Sequence, residues 1–278
     1  HELDVQCILT KKQGHATEIA RKLCEEGGEL RFYACGGDGT ANEVANGILG
    51  FDNAAMTMVP VGTGNDLLKN FGDDLEKFRD VENLWDGPVF PMDVIEVNGR
   101  YALTIACSGI DARVAADVHK YSESPLLDGK SSYIVSLLVN FLFKGIGSHW
   151  KVEMDGKEME GDWSLVSVCN GRYYGGGFMP VAEARMDDGV LNTLVVQKVT
   201  RRAFIRFVGP YSKGEYYTFP HLAQCYTPKV VRITSEKPDI VTCLDGETFQ
   251  GSEVTIRLAG KKLNFFGPAG CSCNATAR

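Results

Sequence analysis

The rhythm of apolar and polar positions changes once along this chain. Up to residue 91, short apolar runs alternate with helical stripes. VQCIL (5–9) predicts a strand, and ATEIARKLCEE (16–26), with Ala16, Ile19, Ala20 and Leu23 at helical spacing, predicts a helix. LRFYAC (30–35) predicts a second strand, and ANEVANGI (41–48) a helix with Ala41, Val44, Ala45 and Ile48 on one face. MTMVPV (56–61) and NDLLKNF (65–71) repeat the strand and the helix. This alternation predicts a parallel α/β sheet.

From Asp93 onward the runs are short and alternating: DVIEVN, YALTIAC, WKVEMDG, WSLVSVC, VLNTLVVQKV, KVVRIT, IVTCLDG and EVTIRLA. Turn residues such as Asn98-Gly99 and Asp155-Gly156 separate them, and the second pair suits a hairpin. That pattern predicts an antiparallel β-sandwich or barrel, interrupted by helical stretches near 112–120 and 131–143. The prolines of PVFPMD mark a boundary. The expected division is an α/β domain over 1–91 and a β-sandwich domain over 92–260. Residues 261–278, containing LNFFG (263–267), are expected to return to the first domain.

Composition narrows the function classes. Of 278 residues 44% are apolar and 23% charged, which is ordinary globular usage. A net charge of -7 argues against nucleic acid as a partner and leaves only a local basic patch for anionic membranes. The nine cysteines are odd in number and dispersed, and Cys7, Cys35, Cys107, Cys169 and Cys243 sit in apolar runs. They read as small hydrophobes in a reducing cytosol, and the lone pair Cys271 and Cys273 is too little for zinc. YIVSLLVNFLF (133–143) falls well short of the roughly 20 residues of a spanning helix, so no transmembrane segment is expected.

The chemistry concentrates at two strand–glycine–helix junctions, Gly36-Gly37-Asp38-Gly39-Thr40 and Gly62-Thr63-Gly64-Asn65-Asp66. Each leads into a helix N-terminus, where unpaired N–H groups and the helix dipole favour phosphate, and glycine removes the Cβ that would block its approach. Asp38 and Asp66 would repel bare phosphate, so Mg²⁺ is expected beside them, although Asp38 could instead bond a neighbouring turn amide. Thr40 and Glu43 fit a Thr-x-x-Glu capping box. On the acceptor side, Ile134, Leu137, Leu138, Phe141 and Leu142 form an amphipathic stripe. RRAFIRF (201–207) with Lys213 mixes arginine and apolar residues as interfacial segments do, and as a solvated helix face does too. The loop Tyr173–Phe178 reads either as part of a cleft or as a glycine-rich connection.

GGDGTANEVANG (36–47), VPVGTGNDL (59–67), VCNGRYYGGGFMPVAEARMDDGVLN (168–192) and LDGE (244–247), in this order, resemble the diacylglycerol kinase catalytic-domain family. That family includes soluble bacterial lipid kinases and the sphingosine and ceramide kinases. The resemblance covers nearly the whole chain. It implies an α/β ATP domain like that of NAD kinases, a β-sandwich domain, and an active site between them. It implies that Gly36, Gly37, Asp38, Gly39 and Thr40, with Glu43 beside them, and Gly62, Thr63, Gly64, Asn65 and Asp66 contact ATP. It further implies Asp245 as general base with Glu247 in the same motif, and Asp38, Asp66 and Asp93 in a Mg²⁺ network. A structural Mg²⁺ would take Asp188 and the carbonyls of Arg185 and Val190.

The implied reaction moves the γ-phosphate of ATP to a lipid hydroxyl, with diacylglycerol giving phosphatidic acid. The implied protein is cytoplasmic and transiently at the membrane surface, with homodimerisation left open. An NAD kinase-like enzyme and a non-catalytic nucleotide- or lipid-binding protein are the rival readings. Family members usually open with a strand ending in an Asn-Pro…Gly turn, which this chain lacks. A fragment of a longer chain is the expected reason, the alternative being loss of part of the ATP site.

Overall fold

In a computed structural model, residues 5–62, 64–122 and 146–271 are described. Thr63, the 131–143 stripe and Cys273 lie outside them.

A four-stranded sheet holds β1 (Leu30–Gly36), β2 (Ala54–Pro60), β3 (Val89–Met92) and β15 (Leu263–Phe266) in the order β1-β2-β15-β3. Pairing is parallel for β1 with β2 and for β2 with β15, and antiparallel for β15 with β3. Every residue of β2 is buried, as a central parallel strand with both faces covered requires. Helices α1 (His15–Glu26) and α2 (Asp38–Ile48) pack through Ala16, Ala20, Ala41, Val44, Ala45 and Ile48. Short helices α3 (Asp66–Lys69) and α4 (Glu82–Trp85) follow, and Phe71, Phe78, Phe90 and Phe265 cluster beneath them, with ring centroids 4.9–6.3 Å apart.

The second sheet is eleven-stranded and antiparallel. Its members are β4 (Ile95–Val97), β5 (Arg100–Ala102), β6 (Ile105–Gly109), β7 (Ser148–Met154), β8 (Lys157–Cys169), β9 (Asn192–Gln197), β10 (Ala223–Tyr226), β11 (Val230–Thr234), β12 (Ile240–Leu244), β13 (Glu247–Gly251) and β14 (Glu253–Leu258). Asn98-Gly99, Asp155-Gly156 and Asp245-Gly246 each join two strands with both residues at positive φ, the geometry that matches strand twist. One core lies inside the folded sheet around Trp150, Val152, Val166 and Ile256. Another lies outside it, where α5 (Ile110–Ser122) and α6 (Arg201–Tyr211) cover β6, β8 and β9.

Three local expectations fail. VQCIL forms no strand: no described strand pairs with it, and Val5 and Leu9 stay 73% and 81% exposed. Cys7 and Cys35 are exposed rather than core residues, because β1 has no described neighbour on its outer edge. The Thr40–Glu43 capping box does not form. Helix α2 starts at Asp38, so Thr40 lies inside its first turn, and Gly37 is the N-cap without any side-chain cap. Glu43 instead accepts the N–H groups of Gly14 (2.8 Å) and Ala16 (3.1 Å), capping α1. All described cysteines are free, and among the described residues no helix is long and apolar enough to cross a membrane.

Candidate active site

The two glycine turns follow β1 and β2, adjacent parallel strands, so they lie side by side. A Cβ on Gly62 would stand 2.5 Å from Gly37 Cα, and one on Gly36 would strike the Thr40 side chain. The Gly36 carbonyl accepts the N–H groups of Val61 and Gly62 at 3.2 Å each. Only glycine allows this approach, and the result is one continuous turn surface at two helix N-termini.

Asp38 fastens the second turn. Its Oδ2 and Oδ1 accept the N–H groups of Asp66 and Leu67, each at 3.0 Å, so a carboxylate from the first turn caps α3. Burial pushes the Asp38 carboxyl above its ordinary value. The two amides oppose that shift, and the nearby charges of Asp66 and Asp245 add to it. Asn65, at φ 53, donates to the Gly62 carbonyl at 2.9 Å, while its own buried Oδ1 has no partner among the described residues.

Asp66 joins the two sheets. Its Oδ2 accepts the N–H of Gly176 at 2.7 Å, and its Oδ1 pairs with the Lys69 ammonium. Gly176 belongs to a turn closed by the Tyr174–Phe178 bridge, in which Gly175, Gly176 and Gly177 all have positive φ. The loop that could have been a plain connection is thus a third glycine turn beside the first two.

Asp245 forms the other joint. The β12–β13 turn points its carboxylate at the β5–β6 corner. There Oδ1 accepts the N–H groups of Thr104 (3.1 Å) and Ile105 (3.0 Å) and the Thr104 hydroxyl. Oδ2 accepts the Leu103 N–H and, at 3.1 Å, the Nδ2 of Asn42 on α2. Glu247, one step along the hairpin, accepts from Gln13 Nε2 at 2.9 Å.

The remaining predicted positions lie in other contacts. Asp93 is buried, accepts the Gly189 N–H at 2.7 Å and pairs with Lys262 at 2.9 Å. Asp188 is exposed and closes its own turn on the Val190 N–H at 3.0 Å, and Arg185 reaches Asp187 at 3.9 Å. Among the described residues no group of three or more His, Cys, Asp and Glu side chains is arranged to hold a metal ion.

An apolar cavity adjoins the third turn. Leu165, Val196, Phe178, Phe204, Phe207 and Val208 wall it, and Asp111 and Tyr211 lie at its polar end. Both Tyr174 and Tyr211 donate their hydroxyls to Asp111 Oδ2, the latter at 2.7 Å. Burial raises the Asp111 carboxyl above its usual range, against the pull of these two hydroxyls.

Sequence reasoning missed Asn42, Lys69, Thr104 and Asp111. Asn42 carried one readable signal: a polar residue on the side of α2 that faces the core. The others owe their place to contacts between distant segments.

Comparison with known proteins places this geometry. Residues 1–97 match the diacylglycerol kinase catalytic domain, and residues 104–267 match the YegS C-terminal NAD kinase beta sandwich-like domain. A "Diacylglycerol kinase" of Bacillus subtilis (strain 168) is 29% identical over 238 residues, 84% of this chain and 76% of that protein. A "Probable lipid kinase YegS-like" of Pseudomonas aeruginosa is 28% identical over 255 residues, 90% of this chain and 82% of that protein. A crystal structure of a diacylglycerol kinase from Bacillus anthracis str. Sterne shares the fold, with a TM-score of 0.66 over 95% of this chain and 85% of that one at 20% identity. With both of its halves matched, the chain belongs to the diacylglycerol kinase catalytic-domain family of lipid kinases, in the branch that carries a YegS-type β-sandwich.

Proposed function

We propose that the protein is an ATP- and Mg²⁺-dependent kinase that phosphorylates a lipid hydroxyl, with diacylglycerol as acceptor and phosphatidic acid as product. The observation that carries this reading is the Tyr174–Phe178 loop. Its apex amide is bonded to Asp66 of the second glycine turn, while Phe178 walls the apolar cavity and Tyr174 bonds Asp111 at its polar end. A glycine-turn surface and a small apolar cavity thereby share one loop, which supports transfer to a lipid alcohol. Residues 1–91 with 261–278 are assigned to the nucleotide and 92–260 to the lipid, a division supported by the pairing of β15 with β2.

The residues suit a nucleotide phosphate. Glycines remove the Cβ atoms from the two turns and leave the N-terminus of α2 without a side-chain cap, so its amides can meet phosphate oxygens. Gly36, Gly37, Gly39 and Thr40 with Gly62, Thr63 and Gly64 would hold it. For Mg²⁺ the fit is looser. Asp38 and Asp66 already accept amides, which suits a cation held mainly by phosphates and water, with these carboxylates in its outer shell. We place Asp93 as the support that holds the 187–189 turn, and a second cation at Asp188, with the carbonyls of Arg185 and Val190, as a surface site. Bound in the cleft, ATP supplies the phosphoryl group and Mg²⁺ offsets its charge.

The chain's own residues then do three things. The glycine-turn amides hold phosphate oxygens, Asp38 keeps the second turn in place, and Asp245 Oδ2 takes the proton of the acceptor hydroxyl. Asp245 has five donors, so one must yield before it accepts that proton; Asn42 Nδ2 and the Thr104 hydroxyl, the two side-chain donors, can turn where the three backbone amides cannot. Glu43 and Glu247 act as supports, through α1 and Gln13.

The test is transfer of labelled phosphate from ATP with Mg²⁺ to diacylglycerol, monoacylglycerol, ceramide, sphingosine, phosphatidylglycerol and undecaprenol in mixed micelles, with NAD in parallel. Labelled phosphatidic acid is expected. Transfer to NAD alone, or to nothing, overturns the proposal.

A further inference from the structure

Helix α6 has two unlike faces. Phe204, Phe207 and Tyr211 point inward and wall the cavity. Arg201, Arg202, Ile205, Arg206 and Gly209 recur at the spacing of the opposite face and are exposed. Ile205 is 62% exposed and lies among these arginines. Lys213 follows in the next turn, and Tyr217, 63% exposed, lies just beyond it.

The charge here runs against the chain as a whole. From residue 189 to 214 the sequence holds Lys198, Arg201, Arg202, Arg206 and Lys213 and no Asp or Glu, in a protein of net charge -7. Arg202, Arg206 and Lys213 make no ion pair with any described residue. The nearest acids in sequence, Asp188 and Glu215, flank the stretch rather than interrupt it.

We propose that the outward face of α6 docks the protein on an anionic lipid bilayer, with the arginines among the headgroups and Ile205 and Tyr217 entering the boundary. Charge complementarity selects the occupant, because a cationic face rimmed by exposed apolar side chains fits a surface carrying negative headgroups. The placement adds a consequence: the helix that meets the bilayer is also the wall of the apolar cavity, so docking brings that cavity to the lipid. Docking needs no nucleotide and no turnover, so it stands or falls apart from the kinase reading.

The test is flotation with vesicles of phosphatidylcholine alone and of phosphatidylcholine with phosphatidylglycerol, without ATP. Wild type is expected to float only with the anionic vesicles, less at high salt. Each exposed arginine near such a surface is worth about fivefold in affinity, so Arg202→Ala with Arg206→Ala should bind roughly 30-fold more weakly. The charge-matched pair Lys157→Ala with Lys237→Ala, on exposed positions elsewhere, should bind as wild type does. Ile205→Ala should weaken binding while leaving its salt dependence intact. Equal urea midpoints for all variants exclude misfolding as the cause. Wild type that ignores anionic vesicles, or a lysine pair that loses as much as the arginine pair, overturns the proposal.

Discussion

Replacing Asp245 with Asn separates a base from a staple, because the structure shows this carboxylate as a staple and the proposed function also makes it the base. The substitution keeps the shape and turns one acceptor oxygen into an NH₂ donor. With the amide nitrogen at the Oδ2 position, it faces the Leu103 N–H and Asn42 Nδ2. At the Oδ1 position it faces the N–H groups of Thr104 and Ile105 as well as the Thr104 hydroxyl. Either way at least two donors lose their acceptor.

The site is partly buried, so the lower end of the usual range applies, about 1–1.5 kcal/mol for each donor and about 2–3 kcal/mol in all. With a urea slope of about 2–3 kcal/mol per molar, the unfolding midpoint should fall by about 1 M. Turnover of the folded enzyme should fall by a further factor of about 10²–10⁴ if the proton acceptor is gone, while ATP affinity holds. Urea titration followed by tryptophan fluorescence, ATP titration calorimetry and initial rates on the same preparation check the three values. A midpoint within about 0.2 M of wild type would refute the network argument. Turnover that falls only in step with the folded fraction would show that Asp245 merely pins the hairpin.

Three further outcomes follow from particular contacts. Gly39 lies in α2 with nothing within 4 Å of a Cβ, so Gly39→Ala should raise stability by about 0.5–1 kcal/mol yet weaken ATP binding. Gly62→Ala, whose Cβ would meet Gly37 backbone at 2.5 Å, should lose both, and unchanged ATP affinity in the two variants would remove the phosphate from these turns. Glu43→Ala uncaps α1 and should cost about 1–2 kcal/mol, with faster hydrogen exchange over residues 14–18 and an unchanged ATP Kd; a weakened Kd would return Glu43 to the nucleotide site. Burial raises the Asp111 carboxyl above its ordinary value. The stability it contributes is complete below that value and is lost as pH rises through the folded-state pKa. The urea midpoint of Asp111→Asn relative to wild type should therefore climb as pH rises from about 4 and then level off, and a difference independent of pH would show that burial does not hold the carboxyl neutral.

What could be read from the sequence is what local chemistry decides. The helical stripe of α2, the buried run of β2 and the Asp-Gly turn at 155–156 each declare themselves within a few residues, and the structure forms all three. VQCIL shows the limit of that logic. Its composition suits a strand, but a strand exists only where an edge receives it, and no described edge pairs with these residues. Glu43 shows the same limit at a helix end. Thr-x-x-Glu is a sound local signal, yet the N-terminus of α1 lay close enough to take the carboxylate instead.

The acidic residues carry this furthest. Sequence identified Asp38 and Asp66 as carboxylates beside an expected Mg²⁺, with a turn amide as the other partner open to Asp38, and the resemblance identified Asp245 as a general base. The structure shows each one already accepting backbone amides from a segment remote in sequence: Leu67 for Asp38, Gly176 for Asp66, Ile105 for Asp245. A carboxylate held this way is oriented by rigid donors, and its charge is partly offset before any ligand arrives. That reconciles acidic side chains with a phosphate surface. The carboxylates are turned into α3, the third glycine turn and the β5–β6 corner, so under the proposed function the amides of the first glycine turn are the groups left to meet phosphate. Two bonds tie the sheets together: the Gly176 N–H to Asp66 and the Asn42 Nδ2 to Asp245 each cross from the α/β half to the sandwich half. Substituting Asp66 or Asp245 should therefore change the alignment of the halves as well as the chemistry, which is why stability and turnover have to be measured together at both.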